Sequence, residues 1–188
     1  DTGAGGVRRQ ERPGTPSASG AGSGARSTAM TGIIATRKKA GGTCHRLGLV
    51  SPGGVHGHQD HAAARARMVA EAGVPVAFHV FTDGRDTPPR SAQGYLDTLR
   101  AALPESVKIA TVSGRYYAMD RDKRWERVEK AYDVMVSAEG PKAPTAQDVV
   151  TQAYQADISD EFIQPTVLDG YTGMKDGDGL LSFNFRAD

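Results

Sequence analysis

The chain has 188 residues, enough for one domain with a substantial core. Its net charge of +1 argues against a nucleic-acid partner held by the whole surface, so any basic site must be local. The single cysteine, Cys44, excludes a disulfide framework and a multi-cysteine zinc site and suits a reducing, cytoplasmic setting. No apolar run approaches the ~20 residues of a membrane span, so no membrane partner is expected.

Residues 1–32 contain no Leu, Phe, Tyr, Trp or Ile and are dominated by small residues, Pro and Arg. Such a segment buries too little apolar surface to offset its ordering entropy and reads as disordered or divergent. A regular pattern follows. Thr43–Ser51 reads as a strand ending at Pro52-Gly53-Gly54, with Cys44 as a small buried hydrophobe beside it. His58–Ala72 is a helix closed by Gly73. Val74–Thr82 is almost continuously apolar, as a strand covered on both faces should be. Ser91–Leu103 sets Ala92, Tyr95, Leu96, Leu99 and Leu103 along one helical stripe, and Val107–Ser113 is a third strand. Arg124–Val136 is a helix whose apolar face is expected to hold Trp125, Val128, Tyr132 and Met135, with Trp125 in the core. Thr145–Ala156 is a further helix, capped by Thr145 with Asp148 three residues on. Phe162–Gly179 reads as turns and short strands, and Leu180–Phe185 as a last strand. This order predicts an α/β fold with a largely parallel sheet flanked by helices.

In such sheets ligands gather beyond the carboxyl ends of the strands. The loops that fall there are Ser51–His58, Asp83–Pro89, Gly114–Arg124 and Arg186–Asp188, and they hold the chain's unusual chemistry. His56-Gly-His-Gln-Asp-His61 has the spacing of a metal site, with His56, His58, Asp60 and His61 as ligands of a zinc metallo-hydrolase. Too few histidines follow to complete it. The preferred reading puts His56 in an anion site and makes His58 or His61 helix-start residues. Asp83-Gly-Arg-Asp-Thr-Pro-Pro89 offers a guanidinium fork beside a carboxylate, or merely a turn with an exposed ion pair. Ser113-Gly-Arg-Tyr-Tyr-Ala-Met-Asp-Arg-Asp-Lys-Arg-Trp125 gathers cations at a strand-to-helix junction. There they oppose the helix dipole, which favours an anion site over a purely structural role.

Four blocks together carry a resemblance: Gly48-Leu-Val-Ser-Pro-Gly-Gly-Val-His-Gly-His58, Phe81–Pro89, Ile109–Trp125 and Phe183-Asn-Phe-Arg-Ala-Asp188. In order and spacing the chain resembles the cofactor-independent phosphoglycerate mutases over roughly residues 40–188. The resemblance implies a glycolytic isomerase that interconverts 2- and 3-phosphoglycerate, acts as a monomer and uses two manganese ions. It implies that His56, Arg85, Asp86, Arg115, Arg121 and Arg186 bind substrate, with Asp86 as the catalytic acid/base. No residue of this chain is expected to bind metal. The family's serine nucleophile and metal ligands belong to a phosphatase-like domain, a partner within the same polypeptide, and their motifs are absent here.

The expected organisation is therefore a disordered or divergent segment over residues 1–32 and a substrate-binding domain over 33–188, truncated at its C-terminus. Alone, such a fragment is expected to lack mutase activity. A non-catalytic phosphoanion-binding module is the alternative. Arg46 stands where the family usually has an apolar residue, and Gly57 where serine is usual.

Overall fold

The structure, a computed structural model, describes residues 28–186. Residues 1–27, most of the segment expected to be disordered, lie outside that range. The elements in chain order are α1 (Thr28–Ala40), β1 (Cys44–Leu49), α2 (Gln59–Glu71), β2 (Val76–Thr82), α3 (Ala92–Ala102) and β3 (Lys108–Gly114). They continue with the short α4 (Arg115–Ala118), α5 (Trp125–Val136), β4 (Lys142–Ala143), α6 (Ala146–Gln155), a 3-10 turn (Asp160–Phe162), β5 (Thr166–Leu168) and β6 (Gly179–Ser182). The sheet order is β4-β5-β3-β2-β1-β6. All pairings are parallel except β3 with β5, so the expectation of a largely parallel sheet holds.

Helix ends follow their local chemistry. After α2, Gly73 adopts φ +79°, and Gly73 N–H donates to Ala70 O while Val74 N–H donates to Val69 O. That paired closure is the Schellman arrangement. Thr145 Oγ1 accepts from Asp148 N at 3.2 Å and caps α6. Helix α1 begins at Thr28, inside the segment expected to lack order. Its last turn carries Arg37, Lys38 and Lys39, which complement the helix dipole, and Arg37 also donates to Gly177 O.

One face of the sheet holds the main core. Phe78, Val80 and Val112 meet Ala62, Ala66 and Val69 of α2, Leu96 and Leu99 of α3, and Val149 and Val150 of α6. Phe183, just past β6, packs its ring on Phe78 at 5.3 Å and so ties the end of the sheet into this core. Gly48 permits that contact: a Cβ there would lie 2.8 Å from the Phe183 ring. Helix α5 packs on β3 and β5 and differs from expectation. Its buried residues are Ala131 and Val134, while Trp125 is 71% exposed and Tyr132 also faces solvent. The small residues let α5 approach the sheet closely, and the helix is rotated so that its large aromatic rings lie outside.

Two polar anomalies lie on β1. Cys44 is buried, as expected, and burial pushes its thiol pKa up against the opposing pull of Arg46 and Arg37. Arg46 is 0% exposed, and none of its guanidinium nitrogens has a hydrogen-bond partner. Burial lowers its pKa to about 10. An unsatisfied buried cation destabilises a fold by roughly 1–3 kcal/mol or more. We therefore expect Arg46→Met, similar in length and apolar, to raise the stability measured by urea unfolding by about 1–3 kcal/mol. A lower midpoint at unchanged slope would show that Arg46 is satisfied.

Candidate functional site

The site is built where β1, β2 and β3 end. Phe81, Thr82, Ser113 and Gly114 bring the ends of β2 and β3 level, with Thr82 opposite Gly114. The next residues, Asp83 and Arg115, then face each other. Arg115 Nη1 donates to Asp83 Oδ1 at 2.7 Å and to Asp86 Oδ2 at 2.6 Å. From β1, Ser51 Oγ donates to Asp83 Oδ2 at 2.6 Å. The backbone N–H groups of Arg85 and Asp86 donate to Asp83 Oδ1, so the loop folds around this carboxylate. His56 is buried and places Nε2 3.9 Å from Asp86 Oδ2.

Burial alone would raise the Asp83 pKa. Hydrogen bonds from Ser51, Asp86 N–H, Arg115 and Arg85 N–H outweigh it and hold the carboxyl below its ordinary value. For Arg115, burial would lower the pKa, and the hydrogen bonds and charges of Asp86 and Asp83 raise it instead. Both directions describe one ion cluster that stays charged at neutral pH.

A second layer sets the loop positions. Thr82 Oγ1 donates to Asp160 O at 2.7 Å, and Gly114 N–H to Ile163 O at 2.7 Å. A Cβ on Gly114 would sit 2.3 Å from Glu161 O, so this turn fits only against glycine. Asp160 in turn accepts from Ser91 N, Ala92 N and the Tyr154 hydroxyl and holds the start of α3. Asp120 does similar work for α5. It accepts from the N–H groups of Asp122 and Arg124 and pairs with Arg127 at 3.1 Å. This carboxylate compensates the cations gathered at the helix start.

Asn184 joins two of the loops. It accepts from Leu49 N–H at 2.9 Å and donates to Met119 Sδ at 3.7 Å. Phe185 N–H donates to His56 O at 2.8 Å, which brings the backbone at Arg186 beside the histidine.

The structure therefore gathers His56, Asp86 and Arg115 into one centre, as the sequence led us to expect. Arg85 borders it but is exposed and lies 3.5 Å from Glu161. Arg121 and Arg186 are exposed on the same edge of the sheet, brought there by Met119, Asn184 and Phe185. Asp83 and Ser51 were not among the expected site residues, yet they hold Arg115 and the loop in place. The signal for Asp83 was its position directly after an apolar strand, where a turn aspartate is the common reading. His58 accepts from Asp60 N at 3.3 Å and caps α2, the helix-start role expected for it. Among the described residues no three His, Cys, Asp or Glu side chains are grouped to hold a metal ion, so the zinc metallo-hydrolase reading is not supported. A separate cavity of about 700 Å³, lined by Leu96, Ile109, Leu168 and Tyr171 among others, contains none of the candidate residues.

The site is thus an open α/β sheet edge with a buried arginine clamped by two carboxylates and further arginines at its rim. The comparisons with known proteins make this specific. A family model described as BPG-independent PGAM N-terminus matches residues 19–188, and the chain belongs to that family. A 2,3-bisphosphoglycerate-independent phosphoglycerate mutase of Rhodopseudomonas palustris is 55% identical over 99% of this chain and 37% of its own length. One from Paracoccus denitrificans is 58% identical over 85% of this chain and 32% of its length. A crystal structure of Leishmania mexicana phosphoglycerate mutase at low cobalt concentration matches with a TM-score of 0.77 and 28% identity, covering 83% of this chain and 31% of that one. The chain thus spans about a third of the length of the curated relatives it matches.

Removing Asp83 leaves Arg115 buried with half its partners. We expect Asp83→Asn to cost about 3–5 kcal/mol in urea unfolding at pH 7, the usual loss when a buried pair is broken. Because the folded pKa of Asp83 is depressed, its stabilisation is present above the ordinary carboxylate pKa. It is lost as pH falls through the lower folded value. Acid unfolding of Asp83→Asn should therefore show a shallower loss of stability with falling pH than the parent. Equal slopes would remove Asp83 from this role.

Proposed function

We propose that this chain is the substrate-gripping part of a phosphoglycerate mutase and that its ligand is phosphoglycerate. The observation that carries the reading is the Arg115 fork fixed between Asp83 and Asp86, with His56 beside Asp86. Arg115 anchors Asp86 through Oδ2 at 2.6 Å, which holds the carboxylate at the mouth of the site where a substrate hydroxyl would meet it. A carboxylate so placed can take and return the hydroxyl proton as a phosphoryl group moves between adjacent oxygens. Arg85, Arg121 and Arg186 supply guanidinium forks suited to the phosphate and carboxylate of the glycerate.

The phosphoryl transfer itself needs a covalent acceptor and a cation to neutralise charge. Manganese would supply that neutralisation in the whole enzyme, but the described residues of this chain do not form its site. The reading therefore assigns the metal and the nucleophile to a phosphatase-like domain of a longer polypeptide. It also sets the enzyme in the cytoplasm, as a monomer acting in glycolysis.

Two measurements test this. Calorimetric titration should show 3-phosphoglycerate binding at least tenfold more tightly than inorganic phosphate, with the difference lost in Arg115→Ala; a tenfold preference corresponds to about one charge-assisted hydrogen bond. Equal weak binding of both anions would leave only a phosphoanion-binding module. An assay of the chain with 3-phosphoglycerate and manganese should yield no 2-phosphoglycerate, and turnover would refute the assignment of the chemistry to another domain.

A further inference from the structure

On the sheet face opposite the main core, a line of buried polar groups crosses three strands. Asp178 Oδ2 lies 3.0 Å from His45 Nε2, His45 Nδ1 lies 2.9 Å from His79 Nε2, and His79 Nδ1 lies 2.9 Å from Thr111 Oγ1. His45, His79 and Thr111 are all at most 2% exposed. The Tyr171 ring packs edge-on against both imidazoles and, through its hydroxyl on Met135 O, secures them beneath α5. Asp178 is itself fixed by the N–H groups of Thr43 and Lys175, at 2.7 and 2.8 Å.

The position of this line in the sheet matters. Between β2 and β3 the register shifts: Phe78 pairs with Ile109, but His79 pairs with Thr111, so Ala110 is an extra residue in β3. A bulge of this kind re-aims everything after it. The pairs that follow are Val80 with Val112, Phe81 with Ser113 and Thr82 with Gly114, and directly beyond them Asp83 meets Arg115. Removal of the shift would displace Arg115 along the strand by roughly 3.3 Å and reverse the face of each side chain before it. Contacts of 2.6 and 2.7 Å to Asp86 and Asp83 cannot survive that displacement.

The side-chain hydrogen bond that directly follows the extra residue is the one between His79 and Thr111. We propose that His79 and Thr111, backed by His45 and Asp178, are positioning residues that lock the bulged register and thereby set Arg115 between Asp83 and Asp86. The chemistry of the line gives it a direction. Backbone N–H groups of Lys175 and Thr43, with His45, outweigh the effect of burial on Asp178 and hold its pKa down. An ionised carboxylate only accepts, which puts a proton on His45 Nε2. Burial is the main cause that lowers the His79 pKa, to about 3, so His79 is neutral. His79 then carries one ring proton, and with His45 as the Nε2–H tautomer the line closes when His79 Nε2–H donates to His45 Nδ1 and the Thr111 hydroxyl donates to His79 Nδ1. Every buried polar atom along the line is then satisfied.

The test uses the whole chain and nitrogen-15 NMR. In the parent, the His79 ring should show Nδ1 as a hydrogen-bonded acceptor, and the Arg115 guanidinium protons should exchange slowly with water. Thr111→Val should move the His79 Nδ1 resonance and speed Arg115 proton exchange about tenfold, the factor corresponding to the net worth of one hydrogen bond. Thr111→Ser, which keeps the donor, should restore both signals. If Thr111→Val fails to fold, His45→Gln cuts the line one link further from the bulge and should give the same two changes. A shifted His79 resonance with unchanged Arg115 exchange would overturn the proposal and leave the line a local packing feature. Neither readout needs a ligand. A parent chain that ignores 3-phosphoglycerate would count against the proposed function while the NMR result still judged the positioning line.

Discussion

Arg115 is a guanidinium taken almost wholly out of water, and an isolated charge in that position would cost several kcal/mol. It is tolerated because Asp83 and Asp86 reach the same nitrogen from one loop. The pair in turn dictates much around it. Asp83 must be buried to meet Arg115, so Ser51 and two backbone N–H groups are recruited to satisfy its other lone pairs. The Asp83–Pro89 loop wraps the carboxylate instead of extending into solvent. The end of β3 must stop level with the end of β2, and Gly114 must be glycine for the 3-10 turn to pass beneath it.

The proposed anion site has to be reconciled with a cluster that is acidic at its heart. Asp83 and Asp86 against Arg115 leave a single negative charge. Arg85, Arg121 and Arg186 are exposed around it, with Glu161 3.5 Å from Arg85. The buried part is rigid and pre-organised, and the exposed arginines can adapt to a phosphate or carboxylate arriving from water. On the proposed reading, a buried acid/base pair would sit beneath exposed arginines that meet the ligand's charged groups. The chain belongs to its family over most of its length and spans about a third of the length of the relatives it matches.

Much of this was legible in the residues, for physical reasons. Strands such as Val76–Thr82 are almost continuously apolar because both faces are covered, so their ends, and the loops after them, could be placed. His56 and Arg115 could be singled out because a histidine and cations at strand ends have little structural purpose, whereas Asp86, in a loop that reads equally as a turn, was singled out by the family resemblance. Asp83 was not, since an Asp-Gly pair after a strand is the usual mark of a turn, and only the fold reveals that Arg115 comes to meet it. The rotation of α5 was hidden because periodicity ranks Trp125 and Tyr132 above Ala131, whereas close packing on the sheet favours the smaller residue. The short β4 and β5 depend on long-range pairing and leave almost no local pattern. The contrast between Arg46 and Arg115 is equally invisible in composition: both are buried, and only one has acidic partners.

The most direct test of the central claim is a crystal structure of the chain grown with saturating 3-phosphoglycerate. We expect the glycerate between His56, Asp86 and Arg115, with a ligand hydroxyl within hydrogen-bond distance of Asp86 and rim arginines turned onto its charged groups. Ligand bound elsewhere, or an empty centre with Arg115 still clamped by Asp83 and Asp86, would contradict it.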